Sequence, residues 1–120
     1  MFLATAIEVA IALWLLFTGV SAPALHVHEG HLDYAVAAAA PGDGHCDLFV
    51  SDTWYTYPAD WQQTFITHEI GHCLGVWDHP DTGGIMSEAL YPWITDLDIY
   101  YIKRANGMMK YRAFAPISHD

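Results

Sequence analysis

Positive charge is the scarcest property of this chain. Four lysines and arginines stand against fourteen aspartates and glutamates, a formal net charge of −10 over 120 residues. A nucleic-acid interface needs clustered Lys and Arg, so that class of partner is excluded. The acidic balance favours solubility, disfavours anionic membrane surfaces and supplies carboxylates that could hold calcium. Cysteine is scarce too, with two residues, Cys46 and Cys73. An even pair in an exported domain reads as a disulfide, and a small buried thiol at Cys73 is the alternative. No internal repeat and no Pro/Gly-rich linker divides the chain, so it is expected to form one domain and to act as a monomer.

Apolar residues are plentiful, at 53%. That content excludes general disorder, although part of it lies in the almost wholly apolar run from Phe2 to Val20. The run is long enough for a secretory signal or a membrane anchor, and Ala22-Pro23-Ala24 resembles a cleavage site. Glu8 inside the run and the absence of Lys or Arg before it fit a signal poorly, which leaves a buried core helix as a third reading. The expected division is therefore 1–24 as signal peptide or membrane anchor and 25–120 as the working domain. That domain would be secreted, or held outside the cytoplasm with the membrane touched only through the N-terminal segment.

Residues 25–33 carry His26, His28 and His31 without clear periodicity. Such a tract reads as a solvated loop, with a second metal site as the minor alternative. Tyr34–Ala40, the turn Pro41-Gly42-Asp43-Gly44 and the run from His45 to Ser51 read as a hairpin. Asp47–Ser51 is the candidate exposed edge for an extended peptide. The aromatic residues Trp54, Tyr55, Tyr57 and Trp77 either line a subsite or fill the core. Asp60 is a plausible N-cap for a helix from Trp61 to about Leu74, with Gly75 as its left-handed stop. Thr95 or Asp96 would cap a last helix over Leu97–Ala105.

The chemistry concentrates in His68–His79, HEIGHCLGVWDH. Residues four apart on a helix are offset by roughly 40°, so His68 and His72 point off one face. Two imidazoles in that arrangement are two ligands of a metal site, and Glu69 beside them is placed to act as a base on an activated water. Reversal at Gly75 would carry Asp78 back toward the histidines, with His79 one residue late as the other candidate.

HEIGHCLGVWD followed by GGIMS resembles the metzincin zinc peptidases, with an extended zinc motif and then a methionine turn. An aspartate at the third position, followed by histidine, resembles the snapalysin type. The segment from Met86 through LDIYYIKRANG is similar to the end of matrixin-like domains. The resemblance covers roughly residues 64–107. It implies a small α+β zincin-like domain, with a short sheet on an active-site helix and a C-terminal helix, and the apolar run places a further helix before them. The resemblance also implies catalytic Zn2+ on His68, His72 and Asp78, Glu69 as general base, Met86 as a packing base and a polypeptide substrate. The expected activity is a zinc metalloendopeptidase (a hydrolase), and the alternative is a catalytically inactive zinc-stabilised binding module or a truncated, inactive relative. No tyrosine lies two residues after Met86, so any such role would fall to Tyr91 or to backbone amides.

Overall fold

The computed structural model describes residues 1–108, and the tail after Met108 lies outside the described residues. Its elements are α1 (Leu3–Thr18), β1 (Ala24–Gly30), β2 (Ala37–Pro41), β3 (His45–Ser51), a 3-10 turn (Asp52–Thr56), α2 (Ala59–Cys73) and α3 (Asp96–Ala105). This is a small α+β domain, with a short mixed sheet packed on a central helix.

The N-terminal run forms a helix because nothing in it breaks one: no proline or glycine falls between Leu3 and Thr18. Its buried residues are Leu3, Ala6, Ala10, Trp14 and Thr18, a spacing of three or four that draws one stripe along the helix. That stripe packs on α2. Trp14 is fully buried, and its indole N–H donates to the Thr67 carbonyl at 2.9 Å. Gly19, at φ 74°, ends the helix in the left-handed conformation and donates to Leu15 O.

The expectation of a membrane contact through this segment is corrected here. Sixteen residues make a helix of roughly 24 Å, short of a hydrocarbon core of about 30 Å. Among the described residues no helix is long and apolar enough to cross a membrane.

The sheet has the order β1-β3-β2, with β1 parallel and β2 antiparallel to β3. Strand alternation sorts β3 into two faces. Cys46, Leu48 and Val50 are buried in the core, while His45, Asp47 and Phe49 are only half-buried. Most of the histidine tract 25–33, expected as a loop, lies in strand β1, because β3 supplies a complete partner from Ala24↔His45 to Gly30↔Ser51. Local sequence offers no periodicity there since nearly all of β1 is exposed.

Helix α2 packs against both α1 and the sheet. It begins at Ala59 with Pro58 as N-cap, and Asp60 lies inside the first turn, beyond the cap position. Trp54 and Gln62 clamp the entry reciprocally. The indole donates to Gln62 O at 3.0 Å, and the Gln62 amide donates to Trp54 O at 3.2 Å. At the other end, a disulfide joins Cys73 to Cys46 and so ties the last turn of α2 to β3. A loop closed over 27 positions stabilises the fold by about 3–4 kcal/mol in the chain-entropy picture.

Candidate metal centre

Helix α2 delivers His68 and His72 to one face, both nearly buried at 6% and 9% exposure. The chain leaves α2 through Leu74 and turns at Gly75, whose φ of 112° suits glycine. The turn places the Val76 carbonyl against the ring of His72, whose Nδ1 donates to it at 2.5 Å. Nδ1 of His68 donates in the same way to the Ile85 carbonyl at 2.5 Å. A carbonyl only accepts, so both ring protons sit on Nδ1 and both Nε2 atoms carry lone pairs.

Those lone pairs face each other. Nε2 of His72 lies 3.0 Å from Nε2 of His68, and Nε2 of His79 lies 3.2 Å from each. Neither Nε2 of the buried pair can donate to the other, so the contact is repulsive unless a cation lies among the three nitrogens. Three nitrogens on one tetrahedral zinc ion sit about 3.3 Å apart, close to the spacing found. The residues fit the metal.

Burial lowers the His68 pKa to about 4, with further lowering from His72 and His79. His72 is lowered too, chiefly by burial, with His79 adding to the effect. Both imidazoles are therefore neutral at pH 7, the form that ligates. Glu69 lies beside them, with Oε2 3.9 Å from Nε2 of His68. Burial pushes its carboxyl up to about 8, opposed by a hydrogen bond from the Ala39 backbone in β2.

The third ligand corrects the sequence expectation. His79, not Asp78, completes the cluster, and among the described residues no other group of His, Cys, Asp or Glu converges in this way. Asp78 is exposed and lines a cleft toward α3 with Tyr101 and Arg104. His79 instead lines the cleft that holds Glu69 and His72. The physical reason is the Val76–His72 hydrogen bond, which fixes the path of the returning chain. One residue further on, a longer imidazole then reaches the site where the short carboxylate does not. The likeness to the snapalysin type fails with Asp78. The three-histidine set is consistent with a metzincin-type HExxH…His site, with the last histidine one position late.

The loop after His79 is organised by a residue that the sequence motifs do not single out. Asp98, fully buried in α3, accepts from the backbone N–H groups of Ile85 (3.1 Å), Met86 (3.0 Å) and Thr95 (2.7 Å). The hydroxyls of Thr82 (2.5 Å) and Thr95 (3.0 Å) donate to it as well. Its sequence signal is the capping box Thr95-x-x-Asp98, which is complete here, with Thr95 as the N-cap. Met86 is fully buried beneath the helix: a Cβ on Gly71 would overlap its sulfur and lie 3.2 Å from the Trp14 ring. Gly71 is thus the point where α1, α2 and the Met86 loop close on one another.

The edge strand is also revised. Asp47–Ser51 belongs to β3, the central strand, so its hydrogen-bonding groups are taken on both sides. The edge beside the site is β2. A cleft of about 350 Å³ runs between Ala37, Ala38 and Ala39 of β2 and the side chains of Glu69, His72, Trp77 and His79. Of the aromatic candidates, Trp54 is core and Trp77 is 69% exposed at this cleft. Tyr55 donates to Glu29 at 2.5 Å, and Tyr57 packs edge-on against Phe65. Tyr91 stacks on Trp93 and lines a neighbouring cleft with His79.

The chain matches no family model, no curated protein and no solved structure. The functional reading therefore rests on the site.

Proposed function

We propose that the protein is a zinc-dependent endopeptidase. The observation that carries this is the meeting of three imidazole nitrogens at 3.0–3.2 Å with the Glu69 carboxylate at their edge. A zinc ion held there would polarise a peptide carbonyl and lower the pKa of a water molecule. Among the described residues the cluster contains three donors, and a structural site would be closed by a fourth. That difference favours the catalytic reading over a zinc-stabilised binding module.

The chain's own groups account for the remaining steps. The Val76 and Ile85 carbonyls hold His72 and His68 in the tautomer and orientation that aim Nε2 at one point. Burial alone favours the protonated form of Glu69, and a cation held beside it would favour the carboxylate, which would then take the proton of the attacking water and pass it to the leaving amine. The Ala39 backbone contact keeps that carboxylate aimed. An extended substrate peptide adds to the open edge of β2, a mode in which main-chain hydrogen bonds supply affinity and register. Trp77, exposed at the same cleft, contacts a substrate side chain.

The Cys46–Cys73 bridge supports work in an oxidising compartment outside the cytoplasm. Residues 3–18 belong to the working domain on this reading, because Trp14 and its stripe form part of the core.

The test compares the wild-type chain with Glu69→Gln on a quenched peptide library, each with its zinc content measured. Wild type is expected to cleave only when loaded, and Glu69→Gln to bind one ion per site with cleavage reduced by roughly 10²–10⁴. Equal cleavage by the two, or none by a fully loaded wild type, would sink the enzyme reading.

A further inference from the structure

Helices α2 and α3 end side by side, and one side chain closes both. The last carbonyls of a helix have no partner inside it. Asn106, the residue after α3, donates through Nδ2 to Leu74 O at 2.8 Å and to Ile102 O at 2.7 Å. Leu74 is the C-cap of α2, and Ile102 lies in the last turn of α3. Both oxygens only accept, so the amide must turn its NH2 group to them, one proton to each helix.

The peptide between Leu74 and Gly75 is thereby held on both sides. Its oxygen accepts from Asn106, and its N–H donates to His72 O at 3.0 Å. A planar peptide fixed at both groups cannot rotate. Helix α3 also backs onto the turn itself: a Cβ on Gly75 would lie 3.1 Å from the Ala105 Cβ. Only Gly75, at φ 112°, separates this peptide from Val76, whose carbonyl receives the Nδ1 proton of His72. Glycine has the least backbone stiffness of any residue, so Gly75 cannot by itself hold the Val76 oxygen in place. The fixed peptide ahead of it does so.

Resting on His72 as a ligand of the metal centre, we propose that Asn106 is a positioning residue for that ligand. It acts through Leu74 O, the Gly75 turn and Val76 O, and stands outside the ligand set itself. His68 depends on a different carbonyl, that of Ile85, and so serves as the internal reference. Asn106→Asp keeps the shape of the side chain, removes both donors and sets a negative charge against two carbonyl oxygens. Asn106→Ala removes the donors alone. Position 106 is exposed, and the Cys46–Cys73 bridge holds α2 one residue before Leu74, so both variants keep the core.

The test follows the Nδ1 protons of His68 and His72 by NMR in the zinc-loaded full chain with labelled histidine. Zinc affinity is measured beside it, against a chromogenic chelator. In wild type both protons are held by backbone carbonyls and exchange slowly with water. Asn106→Asp is expected to speed exchange at His72 by about tenfold or more and to leave His68 within roughly twofold. Zinc affinity should fall about 3–10-fold, short of the roughly 10–100-fold usual for a partner that touches the ligand. Asn106→Ala should show the same pattern, more weakly. Unmoved His72 exchange in both variants, unchanged zinc affinity, or equal acceleration at His68 and His72 overturns the proposal, the last because it reports general loosening. Neither readout involves cleavage. A His72-specific effect in a chain that cleaves nothing would sink the enzyme reading alone.

Discussion

Nδ1 of His68 donates to the carbonyl oxygen of Ile85, a contact between α2 and a loop 17 positions further along the chain. The same loop residue offers its amide to Asp98 of α3. The orientation of a metal ligand is therefore set by a carboxylate that belongs to another helix, through one intervening residue. Asp98→Ala leaves the buried Met86 amide and the half-buried Thr95 amide without this acceptor, and leaves the Ile85 N–H only the Trp93 carbonyl. Urea unfolding is expected to show a loss of roughly 3–5 kcal/mol. Zinc affinity, measured against a chromogenic chelator, should fall about 10–100-fold as the Ile85 carbonyl relaxes. Unchanged affinity would mean that His68 is oriented without help from α3.

The identity of the third ligand separates two adjacent residues. His79→Ala should weaken zinc binding by more than about a hundredfold, beyond the effect usual for an outer-shell partner. Asp78→Ala, at an exposed position, should leave affinity within roughly threefold. The reverse order in a competition titration would restore the aspartate.

Gly71 offers an unusual sign. Glycine to alanine inside a helix ordinarily gains about 1 kcal/mol. Here the new methyl would run into the Met86 sulfur, with Trp14 behind it. Because Met86 and Trp14 are both fully buried, neither can swing into solvent. Gly71→Ala is expected to destabilise by roughly 1–3 kcal/mol. A thermal melt in which the variant is more stable than wild type would show that the contact is soft.

Helix α1 supplies the last prediction. Trp14 is fully buried and hydrogen-bonded to Thr67, one residue before His68. Trp14→Ala should cost about 3–5 kcal/mol. A chain lacking residues 1–20 should lose its cooperative unfolding transition and its zinc together. If the truncated chain melts like the full one, the segment is a removable leader.

The histidine pair is legible in the amino-acid sequence because a helix repeats on itself. With 3.6 residues per turn, His68 and His72 must share a face, and Glu69 must sit beside them. The hairpin of β2 and β3 is legible for a similar reason, since Pro41-Gly42-Asp43-Gly44 carries its turn in its own residue types. The cap of α3 is readable to within a residue from Thr95 and Asp96. Strand β1 is not, because an exposed strand shows no alternation of polar and apolar residues, and only the partner strand β3 defines it.

What the sequence by itself determined is the local chemistry: two ligands and a base on one helical face, a glycine where the chain can reverse, and a proline-free apolar helix ahead of them. The tertiary structure decided the rest. It chose His79 over Asp78, because Val76 O meets His72 and sets the path of the returning chain. It moved the open edge from β3 to β2, since strand order is a matter of pairing across the sheet. It also placed Asp98 beneath the Met86 loop and set α1 against α2. Short-range geometry follows from backbone periods that any stretch of chain carries within it. Closure across 11 or 17 positions depends on packing and hydrogen bonds that only the assembled chain supplies.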